Sequence, residues 1–320
     1  MTLQAIEAAA ARMRGHVRVT PLLNAPLLDR LAGRRIFVKA ECLQVTGSFK
    51  ARGGWAAVSA LPAGARGVLA MSSGNHAQGV AWAAAAHGVP AVIVMPSDAP
   101  AVKVANTRAY GAEVVLYDRA RDDRDALAAG IAAERGLALV PPYDHPEVIA
   151  GQGSVGLEIA AQAAEAGIAG ADVLVCCGGG GLSAGVAMAL DARAPGLRVR
   201  TVEPAGFDDM ARSLVSGQRE GNAAATGSVC DAILTPMPGA LTLPILQRLA
   251  GPGMVVSDDE ALQAVALAFR YLRIVAEPGG AVALAAALFR DDLPETVICT
   301  VSGGNADPEI FAGALARFGG

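Results

Sequence analysis

The sequence predicts an α/β protein of two open, twisted, mostly parallel sheets covered by helices, with a smaller domain inserted in a larger one. Three observations carry this. Short β-branched runs alternate with longer alanine-rich stretches of helical period, the pattern of strands buried on both faces between helices. At 320 residues the chain exceeds the size at which one core usually stops growing. A first strand at 36–39 precedes a strand–helix series running from Gly67 to about Pro141, and a second series begins near Pro146. The expected division is 1–62 with 146–320 as the larger domain and 63–145 as the smaller.

In chain order, residues 3–14 read as an amphipathic helix. Strands are expected at 36–39, 67–71, 91–95, 113–116, 173–177, 199–203 and 297–301, each a short aliphatic or β-branched run. Between them the longer alanine-rich patterns predict helices near 49–61, 77–87, 101–110, 124–135, 146–166, 183–192, 259–272 and 281–288. Ser257 and Glu260 have capping-box spacing ahead of the 259–272 pattern. No fixed-period repeat or low-complexity linker divides the chain. Ligands of open α/β sheets bind beyond the carboxyl ends of the strands, so function is expected in the strand-to-helix loops.

Composition excludes several classes. Hydrophobic residues make up 53% and charged residues 18%, ample material for a core. The mean hydropathy of +0.40 raises the question of a membrane. The most apolar stretch, 173–190, is long enough on paper to cross one. Its four consecutive glycines would leave backbone poorly organised in lipid, and a buried strand, a glycine turn and a packed helix account for it better; no membrane span is expected. The N-terminus has no basic region followed by an apolar block, so no secretory signal is read. Five cysteines without framework spacing, several inside strand patterns, suggest a reducing, cytoplasmic setting. A net charge of −4 and 4% aromatic residues give no reason to expect a nucleic-acid partner.

Three glycine-rich readings compete. Gly151-Gln152-Gly153-Ser154-Val155-Gly156 formally matches a dinucleotide fingerprint, but a helix start precedes it where a strand is required, so close helix packing is the better reading. Gly181-Leu182-Ser183-Ala184-Gly185 has the form of a nucleophile elbow. That chemistry needs a histidine downstream of the serine, and His16, His76, His87 and His145 all lie upstream. The third reading takes Gly178, Gly179, Gly180 and Gly181 as a loop between a buried strand and a helix. There backbone N–H groups and the helix dipole converge on an anion, and absent Cβ atoms let a phosphate approach.

Ser48-Phe49-Lys50-Ala51-Arg52-Gly53 follows Thr46-Gly47 and opens a helix. The dipole at a helix N-terminus disfavours a further positive charge and lowers the amine pKa of Lys50. A neutral amine is what condensation with an aldehyde requires. Ser72-Ser73-Gly74-Asn75-His76-Ala77-Gln78-Gly79 follows the 67–71 strand and brings hydroxyl and amide groups to a strand-to-helix loop. Ser302-Gly303-Gly304-Asn305 follows the last strand in the same way, and Glu277-Pro278-Gly279-Gly280-Ala281 marks another turn into a helix. All four loops can point into one crevice.

Taken together, Thr46–Gly53, Ser72–Gly79, the glycines 178–181 and Ser302-Gly303-Gly304-Asn305 resemble the serine/threonine dehydratase and serine racemase branch of the fold-type II pyridoxal-phosphate enzymes, over nearly the whole chain. The resemblance implies a tryptophan-synthase-β-like fold, a larger domain binding pyridoxal 5′-phosphate (PLP) and a smaller one carrying the asparagine loop. It implies Lys50 as the Schiff-base lysine that, once displaced by substrate, removes the Cα proton. Phe49 would pack beside the cofactor ring and Asn75 would bond the ring hydroxyl. Gly178, Gly179, Gly180, Gly181 and Leu182 would hold the phosphate. Ser302 would face the pyridine nitrogen, where a serine does not enforce a protonated ring. Ser72, Ser73, Gly74, Asn75 and His76 would form the loop around the substrate carboxylate, with His76 itself structural. Ser73 occupies the position that serves racemases as the acid/base on the opposite face, and dehydratases carry it too.

Glu203-Pro204-Ala205-Gly206-Phe207-Asp208-Asp209 closes the 199–203 strand. Carboxylates at Glu203 and Asp209, with a carbonyl near Phe207, offer the hard oxygen ligands of a divalent cation, against the plainer reading of helix capping. Metal-activated members of the resembled family carry a glutamate and an aspartate at this spacing, implying structural or activating Mg²⁺ or Mn²⁺. Cys176-Cys177 has no zinc spacing. The expected activity is loss of water from a small β-hydroxy amino acid, with L-threonine or L-serine as the default substrate. 3-Hydroxyaspartate is the runner-up, because Arg124 falls near the place where related enzymes hold a second carboxylate. Serine racemisation, and a cofactor-binding sensor without turnover, are the alternatives. The chain ends soon after Ser302, so no regulatory module is expected, and a homodimer is the family expectation.

Overall fold

The computed structural model describes residues 1–99, 101–118 and 120–319. The described strands are β1 (Leu22–Asn24), β2 (Arg35–Ala40), β3 (Val68–Met71), β4 (Ala91–Pro96), β5 (Glu113–Tyr117), β6 (Ala138–Leu139), β7 (Ala171–Cys176), β8 (Leu197–Pro204), β9 (Met254–Val256) and β10 (Thr296–Val301). They form a six-stranded sheet in the order β1-β2-β10-β7-β8-β9 and a four-stranded sheet in the order β5-β4-β3-β6. Every pairing is parallel except that of β1 with β2. The four-stranded sheet is spelled by sequence lying between β2 and β7, both of which pair with β10.

Each strand placed from the sequence is present, with ends shifted by a residue or two. Their apolar runs are continuous because helices cover both faces: Val297, Ile298, Cys299 and Val301 of β10 are all fully buried. The stretch 173–190 is indeed a strand, a glycine turn and a helix, Gly181–Arg193. The capping box at Ser257 and Glu260 is formed with both of its hydrogen bonds. Three strands lie outside the sequence expectation, and β1, β6 and β9 are all short edge strands. Two or three residues cannot display a period; their pairing is imposed by the neighbour. The helices Pro26–Ala32, Asp209–Ser216, Thr242–Leu249 and Pro308–Phe318 lie outside it too, although Asp307 ahead of Pro308 is a start signal, and its side chain caps that helix. The helix expected over 259–272 is α-helical only over Asp258–Leu267, and a wider π turn, Ala268–Leu272, follows it.

The helix Lys50–Val58 is the central piece, buried from Ala51 to Val58. It packs between the helices Asn75–His87 and Pro146–Glu165, and glycines set both distances. A Cβ at Gly79 would lie 2.7 Å from the Lys50 carbonyl oxygen, and one at Gly151 would lie 2.6 Å from that of Arg52. The 151–156 glycines thus sit inside a helix, where they admit neighbouring helices rather than a nucleotide.

The same helix is tied by charge. Arg52, fully buried, gives its Nε and Nη2 to the two Glu41 oxygens at 2.8 Å each and bonds Glu158 at 2.6 and 2.9 Å. Lys39 of β2 reaches the same Glu158 at 2.6 Å. Two cations and two carboxylates are thereby balanced between β2 and the Lys50–Val58 and Pro146–Glu165 helices.

Two substitutions test this arrangement. Gly79→Ala must push the two helices apart and should destabilise the apo-protein by about 1–3 kcal/mol. Arg52→Ala leaves buried carboxylates without their partner and should cost about 3–5 kcal/mol. Chemical denaturation of the apo-proteins measures both.

Candidate active site

The carboxyl ends of β3, β7 and β10 and the turn after β2 converge on one cavity of about 390 Å³. Phe49 and Lys50 enter from the turn after β2, Ser72, Ser73, Gly74, Asn75 and His76 from β3, Gly178, Gly179, Gly180, Gly181 and Leu182 from β7, and Ser302 from β10. The cavity wall therefore brings together every cofactor and substrate residue expected from the sequence. Glu203, Phe207 and Asp209 are absent from it and lie behind the glycine loop, where Met210 packs against Gly180.

Lys50 is the first residue of its helix. Its Nζ donates to the Pro142 carbonyl at 2.7 Å and lies 5.0 Å from the centre of the Phe49 ring. Burial pulls the amine down to about 8, against the opposing pull of the Glu277 charge. The backbone beneath it is held to the β10 loop: Phe49 N–H donates to the Ser302 carbonyl at 3.1 Å, and Gly304 N–H to that of Gly47 at 2.8 Å.

The glycine loop fits a phosphate. A Cβ at Gly179 would overlap the Tyr143 ring, Gly180 has φ +89°, and a Cβ at Gly181 would lie 2.7 Å from Gln152 Oε1. A side chain at Gly179 or Gly180 would therefore displace its neighbours. The first-turn N–H groups of the following helix, at Gly181, Leu182 and Ser183, have no carbonyl one turn earlier to accept them, and they carry the positive end of the helix dipole. Gln152, fully buried, has both polar ends unpartnered among the described residues, as has the Ser183 hydroxyl. Polar groups left open around a backbone cradle suit a phosphorylated ligand.

On the opposite wall, Ser72 Oγ accepts from Gly74 N–H at 3.2 Å, shaping the loop that presents Ser73. Asn75 is held at both ends: its Nδ2 donates to Glu277 Oε1 at 2.6 Å, and its Oδ1 accepts from Asn305 Nδ2 at 2.7 Å. His76 Nε2 bonds the Val140 carbonyl at 2.8 Å, and burial pushes its imidazole down to about 3, so it stays neutral and serves the frame.

Glu203 caps the helix Asp209–Ser216, taking N–H bonds from Met210 at 2.9 Å and Ala211 at 2.7 Å. Burial, then the nearby Asp209 charge, pushes its carboxyl well above the usual range. Asp209 Oδ1 accepts from Asn222 at 2.7 Å, and its Oδ2 has no partner among the described residues. No cluster of three or more His, Cys, Asp or Glu able to hold a metal occurs among the described residues.

Several wall residues escape a reading of the sequence. Gln152 reads there as part of a packing run and Glu277 as part of a turn. A carboxylate ahead of a helix as apolar as Pro278–Phe289 is the available signal. Tyr143, Lys103, Asp231 and Arg219 carry none. Lys103, beside Gly74, pairs with Asp231 at 2.7 Å across the cavity mouth.

Comparison with known proteins agrees with this geometry. The family model of pyridoxal-phosphate dependent enzymes matches residues 13–304. The chain is 39% identical over 311 residues to an L-threo-3-hydroxyaspartate ammonia-lyase of Pseudomonas sp, covering 96% of each. It is 37% identical to a serine racemase of Schizosaccharomyces pombe, over 99% of this chain and 98% of the other. The crystal structure of the T.th. threonine deaminase superposes with a TM-score of 0.91 at 45% identity, over 96% of this chain and 99% of that one. The chain belongs to the pyridoxal-phosphate dependent enzymes, and pyridoxal phosphate is its cofactor.

Proposed function

We propose that the protein is an ammonia-lyase that removes water from a small β-hydroxy amino acid, L-threonine or L-serine, to give a 2-oxo acid and ammonia. The observation that carries this is the meeting of Lys50, its amine pulled down to about 8, with the glycine cradle and the Ser72–Asn75 loop in a single cavity. Bound PLP supplies the electron sink for the electrons left at Cα. Lys50 holds the cofactor and, when freed by the substrate amine, takes the Cα proton on Nζ. The Ser72, Ser73 and Gly74 backbone and hydroxyls grip the substrate carboxylate, which aligns the Cα–H bond. Phe49, Asn75 and Ser302, all on the cavity wall, would flank the cofactor ring, bond its hydroxyl and face its nitrogen, in that order. The β-hydroxyl leaves as water, and the released enamine tautomerises and hydrolyses.

In this reading residues 1–62 with 146–320 bind the cofactor and 63–145 carry the substrate loop. Two side chains favour a second reading for the substrate. Arg124 and Arg219 both line the cavity, and either could bind the distal carboxylate of 3-hydroxyaspartate, the substrate named for the Pseudomonas relative. Ser73 on the cavity wall keeps racemisation of serine as a side activity. Mg²⁺ or Mn²⁺ at Glu203, Asp209 and the Phe207 carbonyl belongs to the proposal, supported by the open Asp209 oxygen. So does pairing of two copies, supported by Leu27 and Leu31, each more than half exposed on one helix. Among the described residues no helix is long and apolar enough to cross a membrane, and all five cysteines are unpaired and buried, which supports a cytoplasmic setting.

Release of 2-oxo acid from L-serine, L-threonine and the 3-hydroxyaspartate stereoisomers, with Mg²⁺ supplied, tests the function; silence from cofactor-loaded protein across the panel would sink it. Lys50→Ala should lose activity by on the order of a thousandfold or more and leave no cofactor trapped by borohydride. PLP uptake by the apo-protein should accelerate as pH rises through about 8, where Lys50 changes from ammonium to amine, and then level off. An ordinary lysine would keep accelerating towards pH ~10. If 3-hydroxyaspartate is the substrate, Arg124→Ala or Arg219→Ala should lower kcat/KM for it by about 10–100-fold while sparing L-serine.

A further inference from the structure

We propose that Glu277 is a positioning residue that acts on the cofactor's ring oxygen through Asn75, by fixing which end of the Asn75 amide faces it. The inference rests on the assignment of Asn75 as the partner of that oxygen.

Glu277 occupies the N-cap of the helix Pro278–Phe289, yet its side chain makes no capping hydrogen bond. It turns inward instead and is only 2% exposed. Space is reserved for it, since a Cβ at Gly303 would overlap Glu277 Oε1. The backbone around it is locked to the β10 loop: Glu277 N–H donates to the Gly303 carbonyl at 3.0 Å, and Ser302 N–H to that of Gly280 at 3.0 Å. From this fixed seat Oε1 accepts the Asn75 amide at 2.6 Å, while Oε2 has no partner among the described residues.

A carboxamide can be turned end for end with little change in shape, so its neighbours must decide its direction. Here both neighbours agree. Glu277 offers an oxygen acceptor to Nδ2, and Asn305 offers an N–H donor to Oδ1; the same Asn305 Nδ2 donates to the Thr46 carbonyl at 2.9 Å. A half-turn of Asn75 would set oxygen against carboxylate and N–H against N–H. With one Nδ2 hydrogen spent on Glu277, the second is the donor left for the cofactor. Asn75 is thereby committed to donating, which favours the anionic form of the ring oxygen. Burial raises the Glu277 carboxyl to about 7 despite Lys103 and the Asn75 bond. Either protonation state keeps an acceptor oxygen for Asn75.

The test compares the cofactor absorbance spectrum and the PLP dissociation constant of wild type, Glu277→Gln, Glu277→Ala and Asn75→Ala, with thermal unfolding of each apo-protein. Glu277→Gln keeps an acceptor oxygen and should keep the spectrum. Glu277→Ala frees the amide to turn, so its long-wavelength band should decline as in Asn75→Ala, and PLP binding should weaken on the order of tenfold. Should the alanine variant not fold, Glu277→Leu fills the same space without an acceptor and should show the same change. A wild-type spectrum from Glu277→Ala or Glu277→Leu beside an altered one from Asn75→Ala would overturn the inference and leave Asn75 in its role. No change in Asn75→Ala would remove the Asn75 assignment, and the inference with it. A Glu277→Gln spectrum altered as far as that of Glu277→Ala would also overturn it, because only the charge would then matter.

Discussion

The arrangement depends first on a buried charge balance. Arg52, Glu41, Glu158 and Lys39 are taken out of water together, and each alone would carry a desolvation penalty of several kcal/mol. Such a group persists only with its geometry complete, which makes it selective about the position of every element contributing to it. Arg52 stands two residues beyond Lys50 on the same buried helix. The balance that satisfies its guanidinium therefore also sets where the Lys50 amine emerges, and rotation of that helix would break four hydrogen bonds to carboxylates at once.

A second constraint is close backbone approach. Glycines at 54 and 79 let the helices bearing Lys50 and Asn75 cross almost in backbone contact, so Lys50 and the asparagine loop line the same cavity. Glycines at 178–181 serve a second purpose, letting bare backbone form the cavity wall between β7 and the helix Gly181–Arg193. The two uses look alike in a sequence and are separated by what a Cβ would meet: a neighbouring helix in the first case, Tyr143 and Gln152 at the cavity rim in the second.

The Ser72–His76 loop hangs from the four-stranded sheet, and the 178–181 glycines and Ser302 hang from the six-stranded one. Polar bonds join them directly over the cavity: Asn75 to Glu277 and Asn305, and Lys103 to Asp231. Glu277 is buried in the first of these contacts, whereas Asp231 in the last is 55% exposed. Burial draws the Lys50 amine at this junction towards neutrality, against the Glu277 charge.

Much of this was legible in the sequence. Local chemistry is printed there: β-branched runs long enough to be buried, the Ser257–Glu260 cap, four glycines after a strand, and a lysine opening a helix after Thr46-Gly47. Those features depend on neighbours in the chain, and the structure keeps them where the sequence places them. Edge strands two or three residues long, the packing role of the 151–156 glycines, and the membership of Gln152, Tyr143, Glu277 and Arg219 in the cavity wall were decided only by tertiary structure. The physical reason is that each depends on a partner far along the chain. Glu277 and Asn75 are 202 residues apart, and whether a carboxylate is a solvated turn residue or a buried acceptor is settled by what lies opposite it.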